Sequence, residues 1–304
     1  MPKLSEIGDS EDILNRHGRR VVVYVEADTD VTIFYGLTDP GIREYIEFKT
    51  PSSLNTGGHA VAEEVRVRRE LYPKTYGLID GEDAAKFGAV DEFLACKSTM
   101  FKIASGIDGL IFLGQHEAEN VLILHGNLHD LIRRDQGILA SAAITDPEIS
   151  DRIATVVRRF FQAALLKYAS MTLNHKSNQA VPESGCKVID SARFLASDDR
   201  KAIVASIKAS VEAEGVVEWN EVLDEVKRTW NVVRNEYNEL RPDDTKCALE
   251  RMRLTDGKCV VKKLAGMSSS DPTKWSNHLL ETARKSAYAQ QFQADLLSLT
   301  NAMA

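Results

Sequence analysis

The chain has 304 residues, 43% of them apolar, and a formal net charge of −7. That length carries roughly two domains, or one domain with a large insertion, and the apolar fraction supports a real core, which excludes a disordered or fibrous chain. The acidic balance gives no global field that draws in nucleic acid, so such a partner must be engaged through local basic patches or bound cations.

Val21-Val22-Val23-Tyr24-Val25 reads as a fully buried strand that stops abruptly in acids, Glu26-Ala27-Asp28-Thr29-Asp30. Asp28-Thr29-Asp30 then suits the start of a helix with Val31, Phe34 and Tyr35 on its apolar face, ended by Asp39-Pro40-Gly41. Tyr45 to Phe48 is a second strand. Gly57-Gly58 opens a helix with Val61, Val65 and Leu71 on one face and Glu63, Glu64, Arg66, Arg68, Arg69 and Glu70 on the solvated side. Tyr76 to Ile79 is the third strand, Leu110 to Leu113 the fourth, and Gln115 to Leu124 resumes helical spacing. Beyond Leu128 the pattern turns to long amphipathic helices, Asp151 to Ser170 and Val217 to Leu240, divided by a polar loop, Leu173 to Gln179, and closed by Arg241-Pro242-Asp243-Asp244. The last segment holds Cys259-Val260-Val261 and finishes in a helix from Thr273 onward.

These alternations predict an α/β fold, a largely parallel sheet flanked by helices with a large α-helical insertion and a helical C-terminal region. The expected organisation is an α/β core over 1–125, a helical insertion over 126–244 and a C-terminal segment, 245–304, that completes the core. The opening Met1-Pro2-Lys3-Leu4-Ser5-Glu6 has no basic stretch leading into an apolar run, and no stretch approaches the ~20 apolar residues that span a bilayer. The expectation is a soluble cytoplasmic protein with no membrane contact. Cys96, Cys186, Cys247 and Cys259 form no Cys-x-x-Cys pair, and are expected to be reduced, buried small hydrophobes.

The acids follow the strands in order: Glu26 and Asp30 after the first, Asp80 and Glu82 after the third, Glu117 and Glu119 after the fourth. In a parallel sheet the carboxyl ends of strands share one edge, so these groups are placed to converge. Crowded carboxylates raise one another's pKa unless a cation compensates them, and all-oxygen ligands suit Mg²⁺ or Mn²⁺ rather than zinc. For any single acid, helix capping is the simpler account. It explains Asp28 and one of Asp80 or Asp83 well, and the spacing of Asp80 and Glu82 less well.

Glu26-Ala27-Asp28-Thr29-Asp30 resembles the Glu-Gly-x-x-Asp motif of Toprim domains, Asp80-Gly81-Glu82 resembles their Asp-x-Asp motif, and Glu119-Asn120-Val121-Leu122 resembles the Glu-Asn-Tyr-Leu stretch of Toprim proteins allied to OLD nucleases. Ala27 in place of Gly and Glu82 in place of Asp are the departures. The resemblance covers about the first 125 residues. It implies a metal-dependent phosphodiesterase using Mg²⁺ or Mn²⁺, with Glu26 as general base or metal ligand, Asp80 and Glu82 holding one ion, and Asp30 and Glu119 helping a second. By size, single Toprim unit and helical insertion the chain resembles PARIS-type antiphage effectors. That likeness implies cleavage of RNA, tRNA in particular, and a partner ABC-type ATPase that restrains or releases the enzyme; one small Toprim unit with a long apolar helical insertion leads to the expectation of a homodimer. A catalytically inactive interaction subunit and a DNA-nicking nuclease are the alternatives.

His116-Glu117-Ala118-Glu119-Asn120 is not a zincin motif, because Asn120 occupies the second ligand position, and no Gly-x-x-x-x-Gly-Lys is present to bind ATP. Arg66-Arg68-Arg69, Arg133-Arg134, Arg158-Arg159, and Lys258 with Lys262-Lys263 read first as solvated faces. The last is the most interesting, since related nucleases place a late Lys near the metals; the spacing does not choose which one. His175 reads as a polar-turn residue, and Trp219, Trp230 and Trp275 as packing or dimer-interface anchors.

Overall fold

An unbroken run of β-branched and aromatic side chains is stable only in a strand covered on both faces, and Val21–Tyr24 is such a strand, with every side chain buried. In the computed structural model, which describes residues 20–52, 57–103, 107–137, 145–176, 199–214, 218–236 and 251–301, it is β1 of a five-stranded sheet. The other strands are β2 (Ile46–Lys49), β3 (Thr75–Ile79), β4 (Met100–Phe101) and β5 (Leu110–Leu113), in the order β2-β1-β3-β5-β4. β1, β2, β3 and β5 are parallel, and β4 runs antiparallel to β5.

The helices are α1 (Asp28–Leu37), α2 (Pro40–Arg43), α3 (Gly58–Leu71), α4 (Val90–Ala95), α5 (Ala118–His125), α6 (Leu128–Gly137), α7 (Asp146–Lys176), α8 (Arg200–Glu214), α9 (Trp219–Glu236), α10 (Gly257–Met267), α11 (Pro272–Ala283) and α12 (Ala287–Asn301). Gly81–Phe87 and Arg251–Leu254 are 3-10 segments. The protein is α/β, with a mostly parallel sheet flanked by helices. Among the described residues no helix is long and apolar enough to cross a membrane.

Contacts divide the chain into two units, one made of Met1–Ile79, Thr99–Leu113 and Arg284–Ala304, the other of Asp80–Ser98 and Gly114–Ala283. This division cuts across the segments 1–125, 126–244 and 245–304 read from the sequence. Composition reports local helicity, and it carries no information on which neighbour a segment packs against.

In the sheet unit, α3 lies against β3 through Gly77: a Cβ there would meet Val61, Val65 and Leu110 at 2.7–2.9 Å. Phe48 and Tyr76, on the alternate positions of the sheet, meet α1 and α12. Phe34 lies 5.6 Å from Phe48 and 5.4 Å from Phe292, and the Tyr76 hydroxyl donates to the Leu299 carbonyl at 3.4 Å. The Phe48 N–H on the edge strand β2 donates to the Tyr35 hydroxyl at 3.1 Å, so a side chain covers an edge group that would otherwise invite another strand.

In the helical unit, α7 carries the core through Ile153, Val157, Phe160, Phe161, Ala164 and Tyr168, packing against α9, α10 and both 3-10 segments. The Arg251 guanidinium lies over Phe161 at 5.4 Å and Trp230 at 4.6 Å. Trp275 is buried and donates from Nε1 to Asp135 at 2.6 Å.

Several boundaries differ from the sequence reading. Leu71, assigned to an apolar face, is 70% exposed, because it is the last residue of α3 and the buried stripe ends at Val65. The buried face of α1 is Ile33, Phe34 and Leu37, with Val31 and Tyr35 only half-buried. The polar stretch from Leu173 is helical through Lys176, so His175 sits on α7, its Nδ1 3.0 Å from the Lys86 carbonyl; 177–179 lie outside the described residues, as do Val217, 237–244, Cys186 and Cys247. The antiparallel β4 is two residues long, too short for periodicity to register. The C-terminal helix is two helices, broken where Ser286 Oγ accepts from the Ala289 N–H at 3.2 Å.

Gly77→Ala is expected to destabilise the protein by about 1–3 kcal/mol through overpacking between β3 and α3, read as a lower urea midpoint by circular dichroism.

Candidate functional site

In the sheet unit the chain passes from β1 to β2 on one side and places β3 on the other, so the carboxyl end of β1 is a switch point of the kind where open α/β sheets bind ligands. Glu26 stands there, half-buried. Gly57, at φ 85°, lies beside it, and a Cβ there would be 3.7 Å from Glu26 Oε2. Asp30 is buried, and its Oδ2 accepts from the Ala27 N–H at 3.0 Å at the start of α1. Asp28 Oδ1 accepts from Thr50 Oγ1 at 3.3 Å. Capping of α1 thus falls to Asp30 rather than Asp28.

The other carboxylates belong to the helical unit. Asp80 is half-buried and precedes the 3-10 segment Gly81–Phe87. The Gly81 N–H donates to the Gln115 carbonyl at 3.0 Å and the Glu82 N–H to the His116 carbonyl at 3.2 Å. These bonds align Glu82 with the His116-Glu117 segment. His116 is held in turn by its N–H, which donates to the Arg253 carbonyl at 2.7 Å.

Asn120 locks the start of α5. Its Oδ1 accepts from the Glu117 N–H at 3.0 Å, and its Nδ2 donates to the Met252 and Thr255 carbonyls, each at 2.7 Å. Gly257 passes so close that a Cβ would lie 2.9 Å from the Asn120 nitrogen. The result joins α5 to the head of α10, where Asp256 Oδ1 accepts from the Cys259 N–H at 2.7 Å and Glu117 Oε1 from the Lys258 N–H at 2.6 Å. Lys258 Nζ lies 3.4 Å from Glu117 and 3.6 Å from Glu119. Of the late lysines, Lys258 is brought to Glu117 and Glu119.

Glu82 is held differently. Lys167 pairs with its Oε2, and His116 Nε2 lies 2.9 Å from the same oxygen. His116 Nδ1 bonds the Tyr168 hydroxyl, which donates to the Leu254 carbonyl at 2.8 Å. Burial disfavours the Glu82 charge, yet Lys167 and His116 outweigh it and hold the carboxyl well below the usual carboxylate range. Burial likewise pulls the Lys167 ammonium down, and Glu82 more than reverses this. Glu117 shows the opposite balance: burial, then Asp256 and Glu119, push its carboxyl well above the usual range, and Lys258 only partly offsets them.

Glu82, Glu117 and Glu119 thus lie in one electrostatically linked group, to which the fold adds Asp256, Lys167, His116 and Tyr168, none of them among the expected site residues. Lys167 and Tyr168 are embedded in a helix whose pattern reads as packing, so no local signal marks them. Asp256 had one, since Asp-Gly-Lys before an apolar run is a helix start. Asp83 pairs with Lys86 at 2.6 Å. Arg66, Arg68 and Arg69 pair with Glu63, Glu64 and Asp108, and Arg133 with Asp130 and Asp146, so these basic clusters are engaged within the chain. Cys259 is a free, buried thiol pushed up by burial and by Asp256.

Carboxyl oxygens are donors of the hard type, and burial, then Asp256 and Glu119, disfavour the charge on Glu117. Among the described residues, no group of three or more His, Cys, Asp or Glu side chains is spaced to hold a metal ion. Comparisons with protein-family models, with curated proteins and with solved structures return no match.

A carboxyl whose folded pKa is raised binds a proton that the unfolded chain has released, so stability grows as pH falls through that raised value and Glu117 opposes folding above it. Glu117→Gln is expected to be more stable than the parent by about 1 kcal/mol or more near pH 8, with the gain fading toward about pH 4. Thermal melts across that range check this.

Proposed function

We propose that the chain is a Mg²⁺- or Mn²⁺-dependent endonuclease of the Toprim type, cleaving RNA, tRNA in particular, as the toxic effector of an antiphage system. In this reading it works under the control of a partner ABC-type ATPase, in the manner of AriB, the effector subunit of the PARIS system, and as a homodimer. The observation that supports a metal-dependent site is the buried Glu117, whose charge the neighbouring Asp256 and Glu119 oppose more than Lys258 compensates. The substrate and partner come from the sequence resemblance.

A divalent ion held by carboxylates there would polarise a phosphate oxygen and activate a water. Asp80, Glu82 and Glu119 are the ligand candidates that the resemblance marks in the helical unit. Lys167 and His116 keep Glu82 ionised and oriented. Lys258, its side chain 43% exposed, is placed to meet a phosphate and take up part of its charge. Glu26 enters from the resemblance as general base or ligand. Purified protein with Mg²⁺ is expected to cleave RNA, and Glu26→Ala to abolish cleavage; unchanged cleavage in that variant sinks the assignment, and cleavage of DNA alone redirects it to a nicking enzyme.

One observation favours a second reading, an inactive Toprim-like subunit that only binds its ATPase. Lysines already stand against Glu82, Glu117 and Glu119. Calorimetry separates the two: heat of Mg²⁺ or Mn²⁺ binding in the millimolar range or below is expected for the enzyme, whereas its absence with ATPase association intact favours the subunit.

A further inference from the structure

Arg251, the first residue of the 3-10 segment Arg251–Leu254, is a buried cation of the helical unit. It is 6% exposed, its guanidinium lies over the rings of Trp230 and Phe161, and its Nε is buried without a hydrogen-bond partner. Among the described residues no hydrogen bond or ion pair engages that guanidinium. The rings recover part of what a cation loses on leaving water, but they supply no acceptor for its N–H groups, which lie in the guanidinium plane. A charge buried on those terms weakens the fold unless an oxyanion meets its edge. The turns around it carry no acid: residues 152–176 of α7 contain no Asp or Glu, and neither do 226–235 of α9 or 251–255. Arg158 stands one turn before Phe161, and the exposed Arg234 one turn after Trp230, each on the helix face of its aromatic. Arg228 is taken by Asp91 and Glu225, and Lys167 by Glu82. Trp230 is half-buried, so the stack reaches the surface. In a chain of net charge −7, a fork of donors on an aromatic shelf, in a seam without acids, suits phosphate groups carried on a flexible strand.

We propose that Arg251 on the Trp230 and Phe161 rings, with Arg158 and Arg234 one helical turn from those aromatics, is a phosphate-binding site for single-stranded RNA. This rests on the RNA-cleaving reading above and extends it, giving the helical unit a face on which the substrate docks.

The test is fluorescence anisotropy of a short labelled single-stranded RNA titrated with the full chain over a range of salt concentrations, in EDTA to suspend metal-dependent cleavage. Arg251→Met is expected to bind about tenfold more weakly or worse and to lower the salt slope by about one phosphate contact, and Arg234→Gln to lower the slope by a similar amount. Arg251→Lys keeps the charge and loses the fork, so its slope holds while its affinity falls. Arg251→Met is expected to melt no lower than the parent, because it ends the burial of an unpaired charge, and so to separate lost binding from lost fold. Parental affinity and slope in Arg251→Met, no RNA binding by the parent, or tighter binding of poly-glutamate than of RNA overturns the proposal. If Arg251→Met melts well below the parent, Arg251→Lys and Arg234→Gln decide: unchanged affinity in both overturns the site, and reduced affinity in either supports it. RNA cleavage with Mg²⁺ keeps the two readings apart. Binding lost in Arg251→Met, with no cleavage by the parent, removes the nuclease and leaves the site; cleavage by the parent, with binding unchanged in that variant, does the reverse.

Discussion

The helical unit is organised around buried negative charge. Taking a carboxylate out of water is unfavourable by several kcal/mol unless partners replace the lost hydration, and Glu82 and Glu117 answer that demand in opposite ways. Glu82 has Lys167 and His116 against one oxygen. Glu117 has a backbone N–H and Lys258, but also Asp256 and Glu119, and its balance stays unfavourable to the charge. Lys167 and His116 favour the ionised form of the one, while burial and its acidic neighbours disfavour it in the other.

The surrounding structure follows from that constraint. Asn120 accepts from the Glu117 N–H at the start of its own helix and donates to the Met252 and Thr255 carbonyls, which ties α5 to that segment. Gly257 gives α10 the clearance to bring its first turn against α5. Tyr168 and His116 form a relay of buried hydrogen bonds that anchors α7 next to Glu82. Removing one partner from such a network leaves a stranded polar group, typically a loss of about 1–3 kcal/mol, and more where the group is charged.

Asp30 shows how a motif residue divides its duty. Its carboxylate accepts the Ala27 N–H and so closes the turn that carries Glu26 off β1. The acid that resembles a metal ligand in sequence also closes the start of the helix, two positions later than Asp28. Gly57 makes a comparable contribution from the opposite direction: its left-handed φ turns the chain into α3 without a Cβ beside Glu26.

The sequence alone determined the parallel strands, the α/β class and the order of acids after strands, because buried runs and 3.6-residue periodicity are local signals carried by neighbouring residues. It also marked Glu82, Glu119 and the lysine cluster around Lys258. The tertiary structure decided what those acids face. Lys167 and Tyr168 come from the middle of a 31-residue helix, where one turn of packing looks like any other until its neighbour is known. Asp256 comes into electrostatic range of Glu117 across two segments that Asn120 ties together although they lie more than 130 positions apart. Which carboxylate is favoured in its ionised form and which is not depends on distances through space, and a linear pattern contains no record of them.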